Sequence, residues 1–127
     1  MVEWNRTVLA PLAGAPLEDK RAVVVVDDVA AVATRQRDGF DAILLDVDNG
    51  PMALAGTENH HLYSPSGLAT FRNALRSGGV LTVWSAGPDG RFRAKLERAG
   101  FRVTERPVAS RKGSKAKHVL FLGARST

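Results

Sequence analysis

Short apolar runs, bounded by charged or glycine-containing segments, dominate the pattern along the chain. Continuous runs of this kind, rich in β-branched residues, are typical of strands covered on both faces of a parallel sheet. Two further segments of strand character lie near the C-terminus, and a basic loop at residues 111–117 joins them. The predicted strands are residues 22–26, 40–45, 80–84, 101–108 and 118–123.

Apolar residues at helical spacing fill most of the intervals between these strands. Asp27 or Asp28 can cap a helix that Gly39 closes, and Pro88-Asp89 opens a second helix that Gly100 closes. Each predicted helix therefore has a start signal and a stop signal of its own.

Two other segments are predicted from the same signals. Ser64 or Ser66 starts a helix that ends at Gly78-Gly79. Near the N-terminus, the apolar residues between Val2 and Leu12 predict a short helix that Pro11 ends.

The order of these elements alternates strand and helix along most of the chain. Such alternation predicts an α/β fold whose sheet is mostly parallel, with helices on its faces. The last two strands have no crossover helix between them, so we expect a C-terminal antiparallel hairpin at one edge of the sheet.

Composition limits the function classes. A chain of 127 residues, 44% apolar and 24% charged, is long enough for one domain with its own core. It has no cysteine, which excludes disulfide scaffolds, cysteine-ligated zinc and thiol nucleophiles. No apolar run reaches the roughly 20 residues that span a bilayer, and no signal peptide is evident, so we expect a cytoplasmic protein without membrane contact.

Charge is divided unevenly between the two parts of the chain. Residues 1–90 carry 7 basic and 11 acidic residues, a balance of −4, whereas residues 91–127 carry 11 and 2, a balance of +9. The overall net charge is +5. An acidic front and a basic rear predict two surfaces with different partners, or a rear that is simply well solvated.

Acidic residues follow two of the predicted strands at their carboxyl ends, where parallel α/β sheets bind ligands. Asp27-Asp28 come after the first strand, and Asp46 and Asp48 come after the second. Three of these four acids are expected to point toward one crevice, where they would favour a cationic or hydroxyl-bearing ligand. A purely capping role for Asp27 or Asp28 remains the alternative.

The motif order resembles a known family. Four motifs carry the resemblance: residues 40–46, Gly50-Pro51, residues 62–64 and the L-x-x-G-G-V-L step at residues 75–81. Their order and spacing resemble those of the spermidine synthase-like branch of the class I S-adenosylmethionine-dependent methyltransferase fold. The resemblance covers about residues 20–125. It implies a partial Rossmann-like methyltransferase sheet.

The resemblance also implies roles for individual residues. Asp28 matches the acid that contacts the adenine amino group of the donor, and Val29 matches the residue whose backbone approaches the ring. Asp46 matches the acid that helps to deprotonate the attacking amine in aminopropyltransferases. Asp48 and Tyr63 are expected on the substrate side of the same crevice.

Part of the family pattern is not found in this sequence. No strand is followed by the Gly-rich turn that cradles the donor, and Asn49 stands where the family normally has a second acid. We therefore expect residues 1–127 to be one truncated methyltransferase-like domain. In the full fold the first strand lies beside the fourth, so its absence leaves edges open; we expect a homo-oligomer that pairs through residues 23–26 or 43–45.

The expected function is alkyl transfer, aminopropyl or methyl, from S-adenosylmethionine or its decarboxylated form to a small acceptor such as an amine, without a metal. Activity of the isolated chain is left open. The alternative is a non-catalytic interaction or nucleic-acid-binding module. It would use the basic residues of the C-terminal face, although no aromatic stacking platform accompanies them and nucleic acid is not the expected partner.

Other chemistries fit the sequence less well. The D-x-D after the second predicted strand resembles that of haloacid dehalogenase-type phosphatases, but Gly50-Pro51 interrupts the expected continuation. A calcium loop from Asp46 fails at the same positions. His60 and His61 are adjacent in a predicted exposed loop, so both cannot easily face one ion, and no serine lies in a G-x-S-x-G turn.

Overall fold

Four strands form one mixed sheet in the order β1-β2-β4-β3 within the described part of the chain. The structure is a computed structural model that describes residues 2–47, 51, 60–109, 111–115 and 117–127. The strands are β1 (Phe40–Leu45), β2 (Leu75–Ser85), β3 (Phe101–Ala109) and β4 (Lys117–Arg125).

One pairing in this sheet is parallel and two are antiparallel. Strand β1 runs parallel to β2, with Ile43 opposite Leu81. Strand β4 lies between β2 and β3 and runs antiparallel to both. The α/β fold with a partial Rossmann-like sheet and a C-terminal hairpin is confirmed. The share of parallel pairings is smaller than the sequence suggested, because β4 inserts beside β2.

Five α-helices accompany the sheet in the described residues. Three of them begin at a capping side chain that accepts a backbone N–H bond, namely Asp28, Ser64 and Asp89. The helices are α1 (Val2–Arg6), α2 (Ala10–Ala13), α3 (Val29–Thr34), α4 (Pro65–Ala74) and α5 (Gly90–Arg98), with 3₁₀ turns at Pro16–Glu18 and His60–Tyr63. None of the described helices is long and apolar enough to cross a bilayer.

Helix boundaries differ from the prediction at three places. Pro11 lies in the first turn of α2 instead of ending a helix, a position where its missing N–H costs nothing. Helix α3 ends at Thr34, before Gly39. Helix α4 ends at Ala74, not at Gly78-Gly79, because Leu75 takes an extended conformation and pairs with Phe40 of β1.

The predicted strand at residues 22–26 is wrong. This segment has no regular secondary structure and pairs with no strand in the described residues, and Val23 and Val26 are 83% and 85% exposed. In the Rossmann strand order, 3-2-1-4-5-6, two strands separate the third from the fourth. The described chain provides neither of them, so the segment has no neighbouring backbone to bond.

The core lies on one face of the sheet, under α4 and α5. Phe71 of α4 and Leu96 of α5 are almost completely buried against the strands. Phe92 packs edge-to-face on Phe121 of β4, with ring centroids 5.1 Å apart, and in the same way on Tyr63. These aromatic contacts join α5, the sheet and the turn before α4.

The opposite face of the sheet is more open. Leu44 of β1 is 74% exposed, and Trp84 of β2 and Leu120 of β4 are only partly buried. Trp84 packs on His118 with ring centroids 4.9 Å apart. This open face carries the apolar residues that alternate with the core residues along each strand.

Candidate functional site

Asp46 and Tyr63 lie near each other at the carboxyl end of β1. Asp46 follows the last residue of the strand and is exposed, whereas Tyr63 is 4% exposed. Burial raises the pKa of Tyr63 to about 12, and the negative charge of Asp46 contributes to the rise. The phenol is therefore neutral at physiological pH, and its oxygen has no hydrogen-bond partner among the described residues.

The turn before α4 fixes the position of Tyr63. Ser64 donates a hydrogen bond to the carbonyl oxygen of His61 at 2.7 Å and accepts one from the N–H of Gly67 at 3.1 Å. A Cβ at Gly67 would lie only 2.5 Å from the carbonyl oxygens of His61 and Leu62, so only glycine fits this close approach. The tyrosine ring also packs on Phe92 at 5.4 Å.

Asp28 caps α3 and is exposed. Its Oδ1 accepts a hydrogen bond from the N–H of Ala31 at 2.9 Å. The neighbouring Asp27 forms an ion pair with Arg35 at 2.5 Å, and this hydrogen bond lowers the pKa of Asp27. Val29 begins α3 and is 43% exposed.

A groove of about 310 Å³ lies between residues 23–25, α3 and β1. Val29 and Ile43 contribute apolar surface to it, and Asp27 is the acid that lines it. Apolar walls beside a carboxylate suit a flat heterocyclic ring that carries an amino group.

A second cavity, of about 190 Å³, lies on the open face of the sheet. Asp46 borders it together with Leu44, Trp84 and Leu120. The two cavities share no lining residue, and Asp28 lines neither of them. The described residues thus bring Asp46 close to Tyr63 but do not bring Asp28 and Asp46 to one cavity, and the assignment of these site residues stays a prediction.

Two further sequence predictions concern Asp48 and the adjacent histidines His60 and His61. Asp48, predicted on the substrate side, lies outside the described residues. His60 and His61 are exposed on a 3₁₀ turn, in keeping with the exposed position expected for them. A cluster of three or more potential metal ligands is not found in the described ranges.

Sequence reasoning missed the aromatic residue beside Asp46. Trp84 occupies the last apolar position of its run, next to Ser85, and that position at a strand's carboxyl end could have marked it as a site residue. Ser85 itself is completely buried, and its hydroxyl donates a hydrogen bond to the carbonyl oxygen of Gly87 at 2.8 Å. It shapes the turn after β2.

A sequence model of an S-adenosyl-L-methionine-dependent methyltransferase family matches residues 8–119, which is most of the chain. The chain belongs to this family. No protein of curated function matches this chain significantly in sequence.

Solved structures show which methyltransferase fold the chain has. It matches a spermidine synthase in complex with the transition state analogue AdoDATO, with a TM-score of 0.73 and 20% identity, over 98% of this chain and 43% of that one. It matches the spermidine synthase of Thermotoga maritima with a TM-score of 0.64 and 15% identity, over 98% and 42%. The spermidine synthase-like fold inferred from the motifs is confirmed.

A third structure extends this comparison. A possible exported protein from Bordetella parapertussis matches this chain with a TM-score of 0.55 and 16% identity, over 94% of this chain and 49% of that one. The chain therefore spans less than half the length of each of these three proteins.

Proposed function

We propose that this chain forms the acceptor side of an alkyl-transfer site that uses S-adenosylmethionine or its decarboxylated form. The supporting observation is the position of Asp46. It ends β1 of a spermidine synthase-like sheet, at the edge where α/β folds bind ligands, and it lies close enough to Tyr63 to influence its ionisation.

Asp46 would act on the acceptor. An ammonium group has no lone pair, so the acceptor nitrogen must lose a proton before it can attack. The Asp46 carboxylate takes this proton and holds the nitrogen in line with the carbon that will be transferred. The donor, when bound, supplies a carbon attached to a sulfonium; the new N–C bond forms as the C–S bond breaks and sulfur keeps the electron pair.

Tyr63 would orient the acceptor and not act as a base. With a pKa of about 12 it keeps its proton at neutral pH. Its hydroxyl has no partner in the described residues but is buried and lines neither cavity, so the turn before α4 must shift for it to donate a hydrogen bond to the acceptor. The ring packs edge-to-face on Phe92.

The described residues fit one end of the donor. The groove beside Val29 offers apolar walls for the adenine ring. Asp28 precedes Val29 but does not line the groove; its Oδ2 atom accepts no hydrogen bond within the described part of the chain and would accept one from the adenine amino group if the ring extended beyond the groove toward it. The ribose and amino-acid ends of the donor have no such residues in the described ranges. We therefore expect weak donor binding by this chain in isolation.

Calorimetry tests the proposal. Titration with S-adenosylmethionine, decarboxylated S-adenosylmethionine and methylthioadenosine should give weak binding of at least one of them, and Asp28→Ala should weaken it. Glu18→Gln, an exposed charge change at a distance from both cavities, is the control. No heat with any of the three compounds at millimolar concentration would argue against a donor site.

Asp46 has a separate test. In an assay with radiolabelled donor and a mixture of small amines, Asp46→Asn should reduce transfer by about 10²-fold or more, as expected for loss of a general base. Transfer by the variant at the rate of the unmodified chain would remove Asp46 from the mechanism.

Self-association through strand edges is a second part of the proposal. Val23, Val25 and Val26 are exposed, and the edge of β1 away from β2 is unpaired in the described residues. Light scattering coupled to gel filtration should show a dimer or larger species. Val25→Lys should disrupt it, and Val8→Lys, at another exposed valine, should not. A sharp monomer peak at high concentration would overturn this part.

Nucleic-acid binding has less support. Arg106 and Arg111 are exposed, but Phe101 and Phe121 are buried and present no stacking surface. Fluorescence anisotropy with labelled DNA and RNA at two salt concentrations should show no specific binding. Tight, salt-dependent binding would revive the non-catalytic alternative.

A further inference from the structure

A groove between α4 and α5 combines apolar surface with unneutralised positive charge. Its volume is about 360 Å³, and it is lined by Pro65 and Ala69 of α4 and by Lys95, Arg98 and Ala99 at the end of α5. No acidic residue lines it. It shares no lining residue with the Asp46 cavity or with the groove beside α3.

The basic residues on the two sides of α5 differ in whether they form ion pairs. On the side toward β3, Arg93 pairs with Glu97 and with Glu105, each at 3.1 Å. On the side toward α4, Lys95 and Arg98 form no ion pair within the described part of the chain. The acids near α5 are therefore already engaged, and the groove keeps its positive charge.

A third cation, Arg72, lies near this groove but is not among the residues that line it. Arg72 follows Pro65 and Ala69 on the same side of α4, at helical spacing. Its Nε is buried and has no hydrogen-bond partner in the described residues. Gly100 packs so closely on it that a Cβ there would lie 2.8 Å from Nε.

This close packing has an energetic consequence. A buried guanidinium N–H without an acceptor costs free energy, and an anion that reached Arg72 from the neighbouring groove would remove that cost. Because Gly100 restrains the Arg72 side chain, little conformational freedom would be lost on binding.

We propose that the α4–α5 groove binds a small anion that carries at least two negative charges, with Lys95 and Arg98 as its charged contacts and Arg72 as a neighbouring cation. Guanidinium groups bind phosphate and carboxylate through paired N–H bonds. The volume lies within the range of small-molecule sites, and the alanine and proline surfaces suit an apolar part of the ligand. This site does not depend on the proposed transfer reaction.

The test is a titration of the ¹⁵N-labelled chain, followed by two-dimensional NMR, with pyrophosphate and, separately, with citrate. At low salt we expect saturable shifts of the amides of Ala69, Lys95, Arg98 and Ala99 and of the Arg72 Nε–H. Saturation with either compound supports the site, and the tighter one identifies phosphate or carboxylate as the preferred group. No saturable shift with either compound up to millimolar concentration overturns it.

Two double variants that remove the same charge distinguish binding in the groove from non-specific attraction of the anion to a positively charged chain. Lys95→Gln with Arg98→Gln should weaken binding by at least about tenfold, the effect of one lost charged hydrogen bond. Lys20→Gln with Arg37→Gln removes the same charge from exposed positions outside the groove and should change affinity less than about twofold. Equal weakening in both variants overturns the proposal, as do shifts confined to residues 111–115.

Discussion

The carboxylate of Asp46, at the end of β1, acts electrostatically on the phenol of Tyr63, in the turn before α4. Burial of the ring and this charge together raise the pKa of Tyr63 to about 12. Tyr63 is the only tyrosine in the chain, so its titration can be followed without interference from a second phenol. The relationship is therefore open to direct measurement.

Replacing Asp46 by asparagine should lower the pKa of Tyr63. The value should remain above the ordinary 10.0, because burial is the larger cause of the shift and the variant leaves it in place. Ultraviolet difference absorbance of the phenolate against pH measures the change. Glu18→Gln, which removes a remote exposed charge, should leave the titration curve in place. An unchanged curve in Asp46→Asn would show that the carboxylate does not reach the phenol.

The raised pKa of Tyr63 predicts that the folded chain loses stability at alkaline pH. The pKa of the Tyr63 hydroxyl is raised on folding, so its contribution is fully present below pH 10 and is lost as pH rises through about 12. Tyr63→Phe should abolish the part of this loss that Tyr63 causes. At pH 7 the variant should be as stable as the unmodified chain or slightly more so, because the buried hydroxyl has no partner within the described residues. Urea unfolding at pH 7 and pH 11 checks both statements.

The capping residue of α5 should contribute measurably to stability. Asp89 accepts a hydrogen bond from the N–H of Phe92 at 3.0 Å, and Phe92 belongs to the core. Asp89→Ala should reduce the free energy of unfolding by about 1 kcal/mol, and Asp89→Ser should recover most of it. Chemical denaturation with unchanged m-values is the measurement. Equal stability of all three chains would show that the cap is unimportant.

Gly100 should tolerate no side chain. Its φ of +93° lies in the region that favours glycine, and a Cβ would meet Arg72. Gly100→Ala should destabilise the chain by about 2 kcal/mol, from backbone strain and from displacement of the arginine. Gly90→Ala, at the start of α5 where nothing lies within 4 Å of the added carbon, should be neutral or stabilising. A similar loss in both variants would point to a general effect of removing glycine.

Most of the elements could be predicted from local signals. The limits of β1 follow from its apolar run. The caps at Asp28, Ser64 and Asp89 follow from the residue type at each of these positions. The strand predicted at residues 22–26 failed for a reason that no local pattern contains. Strand formation needs a neighbouring backbone, and the described chain does not offer one to this segment.

The site was less predictable than the fold. An acid after a strand marks Asp46, and the resemblance placed Tyr63 near the same crevice, but only the tertiary structure shows that the charge of Asp46 reaches the buried phenol. Asp28 and Asp46 end two segments that looked equivalent in sequence. Since only one of these segments joins the sheet, the two acids do not line a common cavity in the described residues.

The central position of β4 has a consequence for biosynthesis. Strand β3 bonds to β4 and not to β2, although β3 is made earlier. While the chain emerges from the ribosome, β3 has no strand to pair with until residues 117–125 have been translated. Nascent chains halted before that point should be prone to aggregate or to be degraded, because the sheet can close only after β4 has been made.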